Sequence, residues 1–240
     1  RIAWLLEDSA CEAVVADDVV TVPGTLPVIS IRASAELGEA PLVDGARLTD
    51  VAYITYTSGS TGTPKGSLIE HRSLANLVNA LGPCLYDALP QAASELLLTS
   101  IAFDVAIKQI FGALTRGNTL VVAPEALRQD PAALMAAIVQ RGIQLIDLTP
   151  AHFAVLLAQG FGPLTKPSLQ AIVLGSESLP CALVEEFARH EANRHIALFN
   201  FYGPSECTVE ALYCRLNAQA LAATMVAPIG RPLANALVYV

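Results

Sequence analysis

Strand-like and helix-like apolar patterns alternate along most of this 240-residue chain, and this alternation restricts the fold more than any other feature. Short apolar runs such as Ile143–Leu148 and Leu169–Leu174 predict buried strands, and the stretches between such runs repeat apolar residues with helical spacing. The order strand, helix, strand is typical of βαβ units, in which helices cover a parallel sheet. The sequence therefore predicts an α/β fold with largely parallel sheets flanked by helices.

The predicted elements cover the chain from residue 28 to residue 201. The strands are Val28–Ile31, Leu96–Thr99, Thr119–Ala123, Ile143–Leu148, Leu169–Leu174 and His195–Phe201, and the helices are Val105–Leu114, Pro131–Gln140, Ala151–Ala158 and Cys181–His190. Charged residues make up 15% of the chain, below the typical ~25%, which suits strands that are buried on both faces. No internal repeat or linker interrupts the pattern, so we predict one domain.

Charge and composition exclude several kinds of partner. The net charge of −8, with only 14 Lys and Arg residues, argues against a nucleic-acid partner. No apolar run is long enough for a membrane span, and no leader opens the chain, so we expect a cytoplasmic protein without a membrane partner. The five cysteines have no metal-binding or disulfide spacing, which predicts reduced, buried thiols, and the four histidines have no metal-binding spacing either. The chain begins with Arg, which we interpret as a piece of a longer protein.

The segment Tyr56–Gly66 concentrates glycines, hydroxyl side chains and one lysine after an apolar run. Glycines let a backbone approach a ligand closely, hydroxyls bind phosphate oxygens, and Lys65 supplies a positive charge. It is not a Walker A loop, because Pro64 precedes the lysine and Gly66 follows it. A flexible surface loop has a similar composition, but the Pro-Lys-Gly ending and the preceding strand favour a phosphate-binding loop.

Three further polar segments each follow a predicted strand: Asp104, Gly175–Glu177 and Tyr202–Glu206. In open α/β sheets, ligands bind beyond the carboxyl ends of the strands. We therefore predict that these segments and the Tyr56–Gly66 loop form a single site.

Five segments together resemble the adenylate-forming enzymes, the superfamily of acyl-CoA synthetases, luciferases and nonribosomal peptide synthetase adenylation domains. They are Tyr56–Gly66, Phe103–Ala106, Leu174–Glu177, Asn200–Glu206 and Pro228–Pro232, and they occur in the family order. Ser205 stands where the family has threonine, which keeps the hydroxyl. The resemblance spans nearly the whole chain and implies the partial N-terminal core of an adenylation domain over residues 1–240.

The resemblance implies a site for ATP and Mg²⁺. Lys65, Ser205 and Glu206 are the implied catalytic residues, with Glu206 as the metal ligand. The residues implied to bind the nucleotide are Thr57, Ser58, Gly59, Ser60, Thr61, Gly62, Lys65, Gly175, Ser176, Glu177, Asn200, Phe201, Tyr202, Gly203 and Ser205.

Asp104 separates the branches of this superfamily, because members that activate amino acids have an aspartate here for the substrate ammonium. The alternative is that Asp104 caps the helix that begins at Val105. By the same resemblance, the residues implied to line the substrate pocket besides Asp104 are Val105, Lys108, Asp147, Ile172, Leu174, Phe201, Val209 and Glu210.

Lys108 lies one helical turn after Asp104 and faces the same way. It either pairs with Asp147 or binds a carboxylate of the substrate. The charges at Lys108, Asp147 and Glu210 indicate a polar or charged substrate side chain, and the combination of Lys108 with Asp147 favours an acidic amino acid such as glutamate.

The implied function is ATP-dependent activation of an amino acid as an aminoacyl-adenylate, with release of pyrophosphate and transfer to a carrier-protein phosphopantetheine thiol beside neighbouring synthetase modules. An acyl-CoA or aryl-acid ligase is the closest alternative, and a non-catalytic nucleotide-binding fragment is the alternative of another class. The 240 residues do not contain the family's ribose-binding aspartate or its small C-terminal domain, so we expect the isolated chain to be inactive.

Overall fold

The computed structural model describes residues 2–17, 20–34, 45–58, 62–161, 168–218 and 224–239. The strands in these ranges are β1 (Val14–Ala16), β2 (Val28–Ser30), β3 (Val51–Thr57), β4 (Lys65–Glu70), β5 (Ser94–Leu97), β6 (Thr119–Val122), β7 (Leu145–Leu148), β8 (Ala171–Leu174), β9 (Ala197–Tyr202), β10 (Leu212–Arg215) and β11 (Arg231–Pro232). The helices are α1 (Ile2–Asp8), α2 (Ile31–Ser34), α3 (His71–Cys84), α4 (Val105–Leu114), α5 (Glu125–Gln129), α6 (Pro131–Gln140), α7 (Pro150–Ala158) and α8 (Cys181–Ala188), with 3-10 turns at Tyr86–Ala88, Glu191–Asn193 and Ser205–Cys207. None of the described helices is long and apolar enough to cross a bilayer.

A seven-stranded sheet forms the centre of the fold, in the order β11-β10-β9-β8-β7-β5-β6. The five strands from β9 to β6 are parallel, and β10 and β11 extend the sheet in antiparallel pairing. Helices separate the consecutive parallel strands in the chain, as βαβ crossovers require. The predicted α/β class with a largely parallel sheet is confirmed.

Both faces of the central strands are buried, each in its own apolar cluster. Every residue of β7 and β8 is buried. Ile172 and Leu174 pack on one face with Phe153 and Phe187 of α7 and α8. Val173 packs on the other face with residues from α3, β7 and β9. This alternation follows from the two-residue period of a strand, and it places the polar Asp147 on the same face as its β8 partner Val173.

The predicted starts of α4, α6, α7 and α8 agree with the structure to within one residue, and two of these helices begin at a side-chain cap. Helix α6 runs over the predicted residues 131–140, and the Asp130 carboxylate accepts a hydrogen bond from the Ala133 N–H at 2.9 Å. Helix α7 begins at Pro150, where the Thr149 hydroxyl accepts from the His152 N–H at 3.2 Å. Both starts combine a side-chain cap with proline in the first turn. Strands β7, β8 and β9 each begin two residues later than predicted.

The Tyr56–Gly66 segment belongs to a separate antiparallel hairpin rather than to the parallel sheet. Strands β3 and β4 pair in a two-stranded sheet, with Thr57 opposite Lys65. The short connection between them explains the direction, because parallel neighbours need a crossover of about a dozen or more residues. The expectation that this loop follows a strand is confirmed, but its strand lies outside the seven-stranded sheet.

The cysteines are all free, but they are not uniformly buried. Cys181 is buried, Cys207 is exposed, and Cys11, Cys84 and Cys214 are intermediate. The prediction of buried thiols is therefore wrong for Cys207, which lies on the exposed turn Ser205–Cys207.

A buried carboxylate lies in β5 at Glu95, which the sequence pattern did not reveal. Its two oxygens accept hydrogen bonds from the Asn118 side-chain amide at 2.6 Å and from the Tyr86 hydroxyl at 3.2 Å. Burial raises the pKa of Glu95 to about 7, above the 4.5 of a free glutamate. The folded state therefore binds this proton more tightly than the unfolded chain.

Replacing Glu95 with glutamine is expected to remove a pH-dependent loss of stability. With the higher pKa in the folded state, the free energy of unfolding falls as pH rises from about 4.5 to about 7, by an amount on the order of 3 kcal/mol. Urea unfolding should be measured for the wild type and for Glu95→Gln from pH 5 to pH 8. The difference between their free energies of unfolding should change over this range. The exposed Glu191→Gln variant is the control, and a constant difference for Glu95→Gln would contradict the assignment.

Candidate active site

A cleft opens beyond the carboxyl ends of β7, β8 and β9, beside the first turn of α4. It consists of two cavities of about 560 Å³ and about 570 Å³. Asp104, Val105, Ser176, Glu177 and Glu210 line both cavities, so the two form one continuous site. The structure therefore brings together polar segments that follow three different strands.

Asp104 connects α4 to the segment after β9. The Ser205 hydroxyl donates a short hydrogen bond to Oδ2 of Asp104, across 101 positions of sequence. Asp104 itself is in the helical conformation, and its side chain makes no capping hydrogen bond. The helix-cap interpretation of Asp104 is therefore wrong, and its carboxylate faces the cleft instead.

The turn after β9 has an unusual backbone that directs Glu210 into the site. A Cβ atom on Gly203 would lie 2.5 Å from the Val209 carbonyl oxygen, so this position accepts only glycine. Thr208 and Val209 are left-handed, with φ of 63° and 67°. Such a conformation is costly for a β-branched residue and is often found at functional sites.

Three charged side chains form a buried cluster at the floor of the first cavity, which we call the ion triad: Lys108, Asp147 and Glu210. The Lys108 ammonium donates a short hydrogen bond to Oδ1 of Asp147 and a second one, at 3.2 Å, to Oε1 of Glu210. The Lys108 side chain is only 2% exposed, and the two carboxylate side chains are 8% and 6% exposed. Of the two alternatives for Lys108, the structure shows internal pairing.

The surroundings of Lys108 and Glu210 shift the pKa values of both groups. Burial alone would lower the pKa of Lys108, but the attraction of Asp147 and Glu210 outweighs burial and raises it. Burial raises the pKa of Glu210 to about 7, against the attraction of Lys108. The ammonium also lies 5.2 Å from the centre of the Phe201 ring. Lys108 is therefore charged at neutral pH, and Glu210 takes up or releases a proton near pH 7.

Not every predicted pocket residue reaches the cleft. Val105, Lys108, Asp147, Phe201, Val209 and Glu210 line one or both cavities. Ile172 and Leu174 are fully buried on the opposite face of β8, whereas Val173 lines the first cavity. The physical reason is strand alternation, because Val173 pairs with Asp147 and shares its face. Val173, and not the predicted Ile172 or Leu174, therefore forms this part of the wall of the first cavity.

The segments predicted to hold the base form the second cavity. A Cβ atom on Gly175 would lie 3.0 Å from the Phe201 carbonyl oxygen, so the two strand ends approach closely here. Ser176 is left-handed, and the Glu177 carboxylate accepts from the Ala151 N–H at 3.2 Å. The ring of Tyr202 is 49% exposed in the cavity wall, where a planar base could stack on it. Asn200 lines the same cavity and donates to the Pro228 carbonyl oxygen at 2.9 Å.

The hairpin that carries the predicted phosphate loop lies beside the turn Ser205–Cys207, which contacts β4. Thr57, Ser58, Gly62 and Lys65 are placed at the ends of β3 and β4, whereas Gly59, Ser60 and Thr61 lie outside the described residues. Lys65 and Glu206 are exposed, and neither side chain makes a hydrogen bond or an ion pair with any residue that the structure describes. Both side chains are thus available to a ligand.

Residues 1–240 match the family model of the AMP-binding enzymes. Surfactin synthase subunit 1 of Bacillus subtilis (strain 168) is 33% identical over 244 residues, which cover 100% of this chain and 7% of that protein. Bacitracin synthase 1 of Bacillus licheniformis is 34% identical over 190 residues, which cover 79% of this chain and 4% of that protein. The chain therefore corresponds to a small part of these relatives.

Solved structures share the fold across nearly the whole chain. The nonribosomal peptide synthetase FmoA3 with AMPPNP bound superposes with a TM-score of 0.84 at 26% identity, covering 98% of this chain and 25% of that one. The N-terminal subdomain of Klebsiella oxytoca NpsA, in complex with 3-hydroxybenzoyl-AMSN, superposes with a TM-score of 0.79 at 26% identity, covering 97% and 58%. Both similarities extend over the sheet and the cleft described above.

Proposed function

The chain belongs to the AMP-binding enzyme family, and we propose that it activates an amino acid with ATP as an aminoacyl-adenylate, releasing pyrophosphate. The adenylate would then pass to the phosphopantetheine thiol of a carrier protein in a peptide synthetase. The similarity to relatives named as surfactin and bacitracin synthases supports a role within a peptide synthetase. A cytoplasmic location belongs to the same proposal.

The contact between Asp104 and Ser205 carries the proposal. It joins a carboxylate that suits a substrate ammonium to the Tyr-Gly-Pro-Ser-Glu segment beside the phosphate hairpin. An amino acid bound through its ammonium at Asp104 would therefore have its own carboxylate near the nucleotide. Reactions between two bound substrates are accelerated mainly by such positioning.

In the proposed reaction, a carboxylate oxygen of the amino acid forms a bond to the α-phosphorus of ATP. The bond from this phosphorus to the bridging oxygen breaks, and pyrophosphate leaves with the electron pair. Both reactants are anions, so the protein must neutralise charge and hold the geometry. Lys65 would bind the phosphates, Tyr202 would stack on the base, and Asp104 would orient the amino acid.

Glu206 fits a magnesium ligand. It is an exposed carboxylate without a bond to any described residue, and carboxylate oxygens are ligands that Mg²⁺ prefers. The described part of the chain contains no cluster of three or more metal-binding side chains, which fits an ion held largely by nucleotide phosphates. When bound, Mg²⁺ would neutralise phosphate charge, and Glu206 would hold it beside the hairpin.

An aryl-acid ligase is the second candidate, because the NpsA structure carries a 3-hydroxybenzoyl compound. An aryl acid without an amine would leave the Asp104 carboxylate with its Ser205 hydrogen bond but without a positively charged partner, which is unfavourable in a cleft. The position of Asp104 therefore favours an amino acid over an aryl or fatty acid.

Pyrophosphate exchange with ATP, measured on the full-length protein, tests the proposal. We expect exchange to depend on an amino acid, and we expect Lys65→Ala and Glu206→Ala to lower it by about a hundredfold, because each removes a group that stabilises phosphate charge. Glu191→Ala is the control, since Glu191 precedes the amino end of β9, away from the cleft. Parental exchange in both site variants would contradict the phosphate site, and exchange with aryl acids alone would favour the second candidate.

A further inference from the structure

We propose that the substrate's side chain ends in N–H donors, as an ammonium or carboxamide does, and not in a carboxylate. This inference rests on the proposed amino-acid activation and concerns the floor of the same cleft. It replaces the acidic substrate that the sequence favoured.

Lys108 is already surrounded by partners. Its ammonium bonds both carboxylates of the ion triad and lies over the face of the Phe201 ring. With 2% of the side chain exposed, almost none of it is presented to a ligand. A substrate carboxylate could reach Lys108 only by displacing Asp147 or Glu210, which would leave a buried carboxylate without its counter-ion.

Among the residues that the structure describes, the rest of the cavity offers no cation that is free of a partner. The only other basic group with a permanent charge in the wall is Arg128, whose guanidinium pairs with Glu125 at 2.6 Å and donates to the Leu98 carbonyl. Burial lowers the pKa of His152, so this imidazole is neutral above pH 7. A second substrate carboxylate would therefore enter a site without a free positive charge.

The charges of the ion triad do not cancel when Glu210 is ionised, because one lysine faces two carboxylates. Asp104 is engaged by the substrate's α-ammonium in the proposed reaction. The remaining negative charge, and the Glu210 oxygen that is not bonded to Lys108, call for a hydrogen-bond donor. An ammonium would neutralise the negative charge and donate to this oxygen, whereas a carboxamide would only donate to the oxygen.

The test compares ornithine, glutamine and glutamate in pyrophosphate exchange with the full-length protein. At pH 8 Glu210 is mostly ionised, since burial raises its pKa to about 7. We expect kcat/KM for ornithine or glutamine to exceed that for glutamate by about tenfold or more, because glutamine and glutamate differ only in charge and donors. The ratio of ornithine to glutamine distinguishes an ammonium from a carboxamide.

Glu210→Gln sharpens the test, because it removes one negative charge and keeps the shape. We expect the ratio of kcat/KM for ornithine to that for glutamate to fall by about tenfold in this variant, mainly through KM. Glu191→Gln, at an exposed site, is the matched control. A wild-type preference for glutamate, or for an aliphatic side chain, would overturn this inference and leave amino-acid activation standing. The absence of exchange with every amino acid would overturn the proposed function itself.

Discussion

Replacing Asp104 with asparagine is expected to abolish most amino-acid activation while leaving ATP binding nearly unchanged. Asparagine keeps the size of the side chain and an oxygen that can accept from Ser205, so the contact between α4 and the turn after β9 is retained. What is lost is the negative charge that would pair with the substrate ammonium. Removing one partner of a covered, hydrogen-bonded charge pair costs about 2–5 kcal/mol, which corresponds to a decrease in kcat/KM of about thirtyfold to several thousandfold.

A substrate analogue separates this effect from structural damage. The desamino acid, which has the same side chain but no α-amino group, does not use the Asp104 charge, so wild type and Asp104→Asn should turn it over at similar low rates. Asp130→Asn is the control variant, because Asp130 caps α6 away from the cleft. If the desamino acid loses as much activity as the amino acid, Asp104 supports the structure rather than the ammonium.

Features that depend on neighbouring residues in sequence were predicted well. The starts of α4, α6 and α7 lie within one residue of their predicted positions, since caps and helix-forming stretches are local. The hairpin was missed because no strand was predicted over Lys65–Glu70, which forms its second strand.

Features that depend on tertiary contacts were not accessible in the same way. The run Ala171–Leu174 is apolar throughout, so its pattern cannot tell which residues face the cleft, and only pairing with Asp147 identifies Val173. Helical spacing placed Lys108 on the same face as Asp104, but its pairing with Asp147 was one of two alternatives, between which only the tertiary structure decides. That Glu210 completes the ion triad depends on the left-handed Thr208 and Val209, which no local pattern indicated.

Because Lys108 is the counter-ion of two buried carboxylates, we expect Lys108→Met to lower the free energy of unfolding strongly. Methionine nearly fills the volume of the lysine stem but leaves Asp147 and Glu210 buried without a counter-ion. Breaking a buried ion cluster in this way costs about 3–5 kcal/mol. The loss should depend on pH, because without the lysine the pKa of Glu210, which burial already raises, rises further above its unfolded value of about 4. The Glu210 proton that stabilises the folded state is bound at low pH and is lost as pH rises through the folded pKa.

Urea unfolding at pH 5 and pH 8 should therefore show a small deficit for Lys108→Met at the lower pH and a large one at the higher pH. Adding Asp147→Asn and Glu210→Gln to this variant should recover most of the loss at pH 8, because neutral side chains of nearly the same shape replace the unpaired charges. Such a recovery would show that the lysine is held in place to neutralise its two neighbours. If Lys108→Met is instead as stable as the wild type at pH 8, Asp147 and Glu210 are not buried as charged groups, and the ion triad does not select the charge of the substrate side chain.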